Sequence, residues 1–477
     1  MPSRLRVTAL ACLAMLNVFT VGASVSVGSL LAARLKLWQI PYVATTPVQG
    51  SAPVLGAQPQ AGAPPPRAGL ARVLGPILGS RFLGPHVGAV VTDLSSGAVL
   101  FARQPSATFA PASSEKLVTA AAALSVLGPQ ARFTTRVVDG GTAGSIVLVG
   151  GGDPSLAAGR PPRTDYPQPA TLVSLAAATA DQLRARHEPS VHLGYADSLF
   201  TGPATAPGWT TSYITTGNVT PISALEVDQG RLTPAGAPQD ADVASNFHPR
   251  SFTPSADAAG AFAAFLRADG IQVTGKPAPQ TVPPGAPTFA AVRSPVVSAL
   301  VAWMLRESNN VIAENLARQV ALSTHHPASF AGGATAETAS LSQLGVAGGV
   351  HLVDGSGLSP RDRISPATLV AVVRAAALGG QTLRPLLAGL PVAGFSGTLA
   401  PGGSVFGNFG PAALGMVRAK TGNLTRVVSL AGIAQDTSGR LLAFAFMADR
   451  LPANRLTQAA GVLDAAATAL AECGCHG

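Results

Sequence analysis

Phe109-Ala110-Pro111-Ala112-Ser113-Ser114-Glu115-Lys116-Leu117 is the stretch on which the fold and the chemistry both turn. Ala and Leu continue the run to Leu127, and Gly128-Pro129 supplies a C-terminal stop, which predicts a helix over residues 113–127. Ser113 and Lys116 then lie three residues apart on one face, a single turn from each other. A serine hydroxyl is a weak nucleophile until a neighbouring base takes its proton. A lysine in a dry pocket near a second cation has its pKa lowered enough to be that base.

Alone the spacing is weak, since average Ser and Lys usage gives a chain of this length roughly two such pairs by chance. Here it occurs once, in a chain with only four lysines among its 32 basic residues: Lys36, Lys116, Lys276 and Lys420. Arg stays protonated and cannot serve as a proton-accepting amine, so a retained Lys stands out.

Two polar segments downstream complete the pattern. Ser308-Asn309-Asn310 interrupts an apolar helical region over residues 296–322, where by itself it reads as a helix kink or cap. Lys420-Thr421-Gly422 precedes a strand with β-branched residues and by itself reads as a surface strand start; its Gly lets backbone and substrate approach closely. S-x-x-K, S-x-N and K-T-G each occur once, in that order, and match the set found in penicillin-recognising serine enzymes.

With its flanks, the pattern resembles the D-Ala-D-Ala carboxypeptidase/endopeptidase family, the class C low-molecular-mass penicillin-binding proteins. The resemblance spans residues 69–471 and rests on FAPASSEKL (109–117), LVGGGDPSL (148–156), DGSGLS (354–359) and AKTG (419–422). It implies an α/β (α+β) fold: a penicillin-binding, β-lactamase-like transpeptidase domain of residues 69–135 and 288–477, interrupted by an inserted mixed α/β domain of residues 136–287. The long gap between Ser113 and Ser308 is explained by that insertion.

The resemblance also implies the roles. Ser113 attacks the carbonyl between two D-Ala residues while Lys116 takes its proton. Ser308 relays a proton to the leaving amine, Asn310 holds Lys116 and the substrate's penultimate amide, and Lys420 with the Thr421 hydroxyl attracts the substrate carboxylate. Gly422 and Asn423 line the strand beside the substrate, and the backbone N–H groups of Ser113 and Asn423 form the oxyanion hole. Loss of one such donor generally costs about 10²–10³ in rate. Asn423 replaces the small hydroxyl residue common there, which points to tuned specificity. Peptidoglycan stem peptides are the implied substrate and β-lactams the implied inhibitors, and no cofactor is called for.

Rival readings fit less well. Between Asn310 and Lys420 the acidic Glu residues are Glu314 and Glu337, neither in the setting of a class A β-lactamase water-activating Glu. Gly394-Phe395-Ser396-Gly397 lacks the final Gly of a nucleophile elbow. GGGDPS has no following Gly-Lys-Ser/Thr and reads as a tight turn, not a phosphate loop. His325-His326 stands without H-E-x-x-H or a Cys/His cluster, so no metal is expected. A catalytically silent wall-binding or scaffolding protein is the alternative of another class, and three intact motifs weigh against it.

Hydrophobic residues make up 47% and charged residues 12%, which excludes disorder for the bulk of the chain. Net charge is +9, carried by scattered Arg with no dense run, so nucleic acid is not an expected partner.

Arg4 and Arg6 precede an uncharged stretch over residues 7–33, closed by Arg34 and Lys36. About 20 apolar residues span a bilayer, so residues 1–36 read as a membrane anchor, or as a signal peptide cut near Val21-Gly22-Ala23. Either way the chain is exported, to the outer face of the membrane or the wall. Residues 37–68 are a Pro-rich linker, extended and semi-rigid.

HVGAVVTDL (86–94) and AVLFAR (98–103), joined by Ser95-Ser96-Gly97, are predicted as one hairpin, and VVSLAGIAQ (427–435) with LLAFAFMAD (441–449) as another. Strands at both ends with helices between them predict a sandwich closed by strands distant in sequence. Cys473 and Cys475 form no framework, and the Cys-Gly-Cys-His end reads as a frayed terminus.

Overall fold

The computed structural model describes residues 64–161, 166–232, 248–346 and 348–473. The N-terminal apolar stretch and most of the Pro-rich linker lie outside the described residues. Among the described residues no helix is long and apolar enough to cross a membrane.

The two expected hairpins become one five-stranded antiparallel sheet. Strands β1 (Val87–Asp93) and β2 (Val99–Arg103) come from the N-terminal hairpin, and β11 (Val427–Gln435) and β12 (Leu441–Ala448) from the C-terminal one. With β10 (Val417–Leu424) the order is β10-β11-β12-β1-β2. Its seam joins the two ends of the sequence, pairing Val87 with Ala448 and Asp93 with Leu442.

All seven residues of β1 are buried, because helices cover the sheet on both faces. Side chains alternate across a strand, so β12 sends Leu442, Phe444, Phe446 and Ala448 to one core and Ala443, Ala445 and Met447 to the other. The Phe face carries the C-terminal helix Leu456–Glu472 and the helix Arg67–Leu78. Truncating either fully buried Phe to Ala would cost about 3–5 kcal/mol. The Ala face has short side chains, which lets the helix Pro366–Leu378 and the helix behind the nucleophile pack close to the sheet.

Helix Arg67–Leu78 was not anticipated from sequence, since Gly69, Gly75 and Pro76 weaken its propensity. Leu70, Leu74 and Leu78, one above another at i, i+4 and i+8, bury its inner stripe and hold it in place. It begins at Arg67, two positions before the expected boundary at 69.

The predicted helix over 113–127 is one continuous helical segment of changing pitch. A 3₁₀ turn, Ala112–Glu115, feeds the α-helix Lys116–Ala122 and a π turn, Ala123–Leu127, with Gly128 at φ 82° ending it. All seven residues of Lys116–Ala122 are buried.

A second, mixed sheet follows in the order β6-β5-β4-β3-β7: β3 (Thr134–Asp139), β4 (Ser145–Val149), β5 (Ser190–Ala196), β6 (Gln272–Pro279) and β7 (Thr288–Arg293); a short ladder pairs β8 (Val350–His351) with β9 (Arg363–Ile364). Helices Leu172–Ala185 and Pro254–Ala268 cross over between the parallel strands and share a core of their own with the sheet. This sheet takes in Thr134 and Thr135 before, and Thr288–Arg293 after, the stretch 136–287.

Helices Val297–Arg306 and Asn310–Ser323 flank the Ser308 break, as the sequence predicts. The chain's end departs from expectation: Cys473 is buried and disulfide-bonded at the close of the last helix, so it is not frayed there. Cys475 lies outside the described residues.

Candidate active site

The nucleophile turn is built by a tight backbone and an anchored approach. Ala112 sits at φ 47°, a left-handed conformation unusual for Ala, and turns the chain so that Ser113 opens the helical segment. Upstream, Phe109 exchanges backbone hydrogen bonds with Ile364, at 3.0 and 2.9 Å, and the Ala110 N–H donates to Asp449 Oδ2 at 3.0 Å. Ser114 and Ser429 hydroxyls both donate to the Pro111 carbonyl, at 2.8 and 2.6 Å, which ties the turn to β11.

Lys116, fully buried, donates from Nζ to three acceptors: Ser113 Oγ at 2.8 Å, Asn310 Oδ1 at 2.7 Å and the Ser356 carbonyl at 2.7 Å. Burial, which disfavours the charged form, pushes its amine down to about 8 despite the nearby acids Asp354, Glu314 and Glu115. The predicted face-sharing of Ser113 and Lys116 is thus realised as a hydrogen bond.

Asn309 and Asn310 divide the work of the S-x-N segment. Asn309 is the N-cap of the helix Asn310–Ser323, its Oδ1 accepting from Ile312 N at 3.0 Å. Asn310, the first helical residue, points its amide oxygen at Lys116 and donates from Nδ2 to the Asn218 carbonyl at 2.9 Å. Ser308 is held at φ 57°, and its Oγ accepts from Lys420 Nζ at 2.9 Å.

Lys420 is fully buried on β10 and also donates to the Thr421 carbonyl at 2.8 Å. Desolvation first, and the Lys116 cation second, push its amine well below the ordinary lysine range. The Thr421 hydroxyl donates to Thr398 Oγ1 at 2.8 Å. At Gly422 a Cβ would stand 2.6 Å from the Pro111 carbonyl and 3.0 Å from Ser114 N, so only Gly allows β10 to run this close to the nucleophile turn.

Ser113, Ser308, Asn310, Thr421 and Asn423 line one open cleft of about 590 Å³. Lys116 and Lys420 lie behind its wall, each bonded to a serine that faces it.

Sequence reasoning missed several parts. The DGSGLS stretch was recognised, but not that its Ser356 carbonyl is Lys116's third acceptor. The signal was there: Asp354 side-chain oxygens accept from Ser356 N, Gly357 N and Ser359 N, winding the loop so that this carbonyl faces inward. Asn218, Gln229 and Arg250 were not singled out: Asn218 acts through its backbone carbonyl, Gln229 through a side-chain oxygen that meets Asn309 only in the fold, and Arg250 by holding carbonyls.

Glu314 lies outside the cleft. It accepts from Gly355 N, and burial pushes its carboxyl up to about 8.

Glu115, Asp354 and Asp362 bring carboxylate oxygens within 4.8 Å of one another. Asp354 has no lone pair left for a cation, since each of its oxygens already accepts two hydrogen bonds, Trp209 Nε1 supplying one of them. Burial and mutual repulsion push Asp362 up to about 10 and Glu115 well above the carboxylate range, so these two are neutral acids packed under the loop.

The family model described as the D-Ala-D-Ala carboxypeptidase 3 (S13) family matches residues 77–248 and 235–470. The chain is 39% identical over 420 residues to carboxypeptidase Rv3627c of Mycobacterium tuberculosis, covering 86% of this chain and 85% of that protein. Its fold is that of penicillin-binding protein 4 (dacB) from Haemophilus influenzae: TM-score 0.66, 23% identity, 83% of this chain and 98% of the other. A second structure of that protein, complexed with a β-lactam, superposes with a TM-score of 0.62 at 22% identity, over 83% of this chain and 98% of the other.

Proposed function

The chain belongs to the D-Ala-D-Ala carboxypeptidase 3 (S13) family, and from that premise we propose that Ser113 and Lys116 carry its serine-type hydrolysis of peptidoglycan stem peptides. One observation carries the assignment: Lys116 Nζ has three partners within 2.8 Å, and only one is a hydroxyl. A neutral amine has two N–H bonds and one lone pair. Asn310 Oδ1 and the Ser356 carbonyl can only accept, so they take the two N–H bonds. The lone pair is left for the Ser113 O–H, the geometry a general base requires.

The steps then balance. The Ser113 oxygen bonds to the carbonyl carbon of the penultimate D-Ala as its proton passes to Lys116. The oxyanion is received by the backbone N–H groups of Ser113 and Asn423. Collapse breaks the C–N bond, and the departing D-Ala amine takes a proton from the Ser308 hydroxyl, which Lys116 replenishes. Because Ser308 Oγ already accepts from Lys420, its own O–H is free to donate. Thr421 faces the terminal carboxylate, with the Lys420 charge behind the cleft wall attracting it, and Gly422 and Asn423 flank the scissile bond. Water then hydrolyses the ester. A β-lactam takes the same path as far as the acyl-enzyme, in keeping with the β-lactam complex of the Haemophilus protein.

We take the expected insertion of residues 136–287 to run slightly wider, from Thr134 to Arg293, within a catalytic domain made of the residues on either side, because the second sheet with its separate core includes both of those ends. We place the catalytic part outside the cell, tethered by residues 7–33 through the Pro-rich linker, on the charge pattern of the N-terminus.

Labelling with a fluorescent penicillin tests the catalytic assignment. Wild type is expected to give a labelled band that Ser113→Ala lacks; a silent scaffold labels in neither. Mass analysis of digested wall peptides then separates loss of one terminal D-Ala from cleavage of a crosslink.

A further inference from the structure

Asn310 carries an amide whose two ends differ in chemistry, and Lys116 needs the oxygen end. A primary amide turned by half a rotation presents NH₂ in place of C=O. The orientation is fixed here from the far side, where Nδ2 donates to the Asn218 carbonyl at 2.9 Å. That carbonyl belongs to neither catalytic segment. It lies in the stretch that carries the second sheet, between Thr134 and Arg293, and it is a backbone atom whose place depends on whatever holds its loop.

The loop is closed locally by the Asn218 N–H donating to the Tyr213 carbonyl at 2.8 Å, and it is braced from outside by Arg250, 6% exposed. Its Nε donates to the Gly217 carbonyl at 3.0 Å, one residue from Asn218, and its NH1 donates to the Gln229 carbonyl at 3.0 Å. Its backbone N–H donates to the Ile214 carbonyl at 3.0 Å. The second loop it grips is unusual: Asp228, Gln229 and Gly230 run through φ of 49°, 56° and 66° in succession. Two of these are not glycine, a conformation that persists only where surrounding contacts impose it. The loop delivers Gln229 Oε1 to Asn309 Nδ2 at 2.8 Å. Asn309 is the residue whose other amide end caps the helix that begins at Asn310.

Both asparagines of the S-x-N segment are therefore oriented from the same two loops, and one guanidinium braces both loops. We infer that Arg250 and Gln229 are positioning residues that set the Asn310 amide, and through it the lone pair of Lys116, so that the second-sheet region completes the catalytic centre. The inference rests on Ser113 and Lys116 acting as proposed above.

The full-length protein is used with three substitutions. Gln229→Ala deletes the acceptor for Asn309 without changing which φ the residue tolerates. Arg250→Met removes both carbonyl clamps, and Arg250→Lys keeps the charge. Two quantities are read with a fluorescent penicillin between pH 6 and 9: the fraction of protein labelled at completion and the acylation rate constant per labelled site. Gln229→Ala and Arg250→Met are expected to label to completion with the per-site rate constant down about tenfold, and Arg250→Lys to recover part of it. An amide turned to face Lys116 with N–H disfavours the ammonium, so the pH midpoint of acylation moves down.

A labelled fraction that falls while the per-site rate constant and midpoint stay at wild-type values would mean that these residues only support the fold, and the inference is overturned. Should Arg250→Met fail to fold, Gln229→Ala decides alone. A wild type that does not label, or a Ser113→Ala variant that does, overturns the catalytic assignment itself, a result distinct from unaltered kinetics in the positioning variants.

Discussion

The pH dependence of acylation is the sharpest consequence of Lys116's burial. Ser113 needs a neutral amine beside it, and the fully buried Lys116 amine is pushed from 10.5 to about 8. With that midpoint the neutral fraction is about 1% at pH 6, about 9% at pH 7, half at pH 8 and about 91% at pH 9. An ordinary lysine would be about 0.03% neutral at pH 7, so the site, with burial outweighing the nearby acids, raises the active form roughly 300-fold there.

The acylation rate constant should accordingly rise about ninefold from pH 6 to 7 but only about 1.8-fold from pH 8 to 9. Time-resolved labelling of the purified chain with a penicillin that does not itself titrate in this range measures it. Asn310→Asp adds a depth to the test: a carboxylate in place of the amide oxygen 2.7 Å from Nζ stabilises the ammonium. It should carry the midpoint up by about one to three pH units and slow acylation at pH 7 by a similar power of ten. A wild-type rate that still climbs tenfold between pH 8 and 9, or that is flat from pH 6, refutes the assignment of Lys116 as a base tuned by desolvation.

Three further outcomes are expected. Glu115→Gln, next to Lys116 in sequence, should leave β-lactam acylation within about twofold and the melting temperature no lower, because a buried acid held neutral is matched by its amide. Gly422→Ala should lower acylation by about 10²-fold with the fold retained by circular dichroism, since a Cβ 2.6 Å from the Pro111 carbonyl forces β10 away from the nucleophile turn. Thermal stability should fall as pH rises: Glu226, raised by burial to about 8, is protonated in the folded state, so its contribution is complete below about 4.5 and is lost as pH climbs through about 8. Melting curves from pH 5 to 9 should show the decline, and Glu226→Gln should make it shallower, the remainder coming from the other raised buried acids such as Glu314.

How far the sequence revealed this protein differs from part to part. Both hairpins were legible because alternating β-branched and apolar residues flank short polar turns, and that period survives whichever strands pair. The pairing of β1 with β12 was harder to foresee in register, but strands at opposite ends of the chain left few other ways to bury both faces of β1. Ser113, Lys116, Ser308, Asn310 and Lys420 were legible because chemistry demands those side chains, and in a chain so poor in lysine the two amines stood out.

What remained hidden is of another kind. The carbonyls of Ser356, Asn218 and Gly217 carry no residue identity, so nothing in a string of letters marks them. Helix Arg67–Leu78 was masked by its own Gly and Pro, whose cost is repaid only by a leucine stripe meeting a sheet made elsewhere in the chain. The fate of Cys473 likewise depended on its burial against that sheet.

The seam between β1 and β12 also sets a timetable. During synthesis and export the chain emerges from its N-terminus, so the hairpin preceding Ser113 is released long before Leu441–Ala448 exists to pair with it. Until those last residues arrive, β1 has one bare edge, β10 is missing from beside the nucleophile turn, and Lys420 cannot reach Ser308. A ribosome still engaged, or a chain only partly exported, holds a hydrolase without an assembled centre, and the same bare edge makes stalled fragments natural substrates for chaperones and proteases.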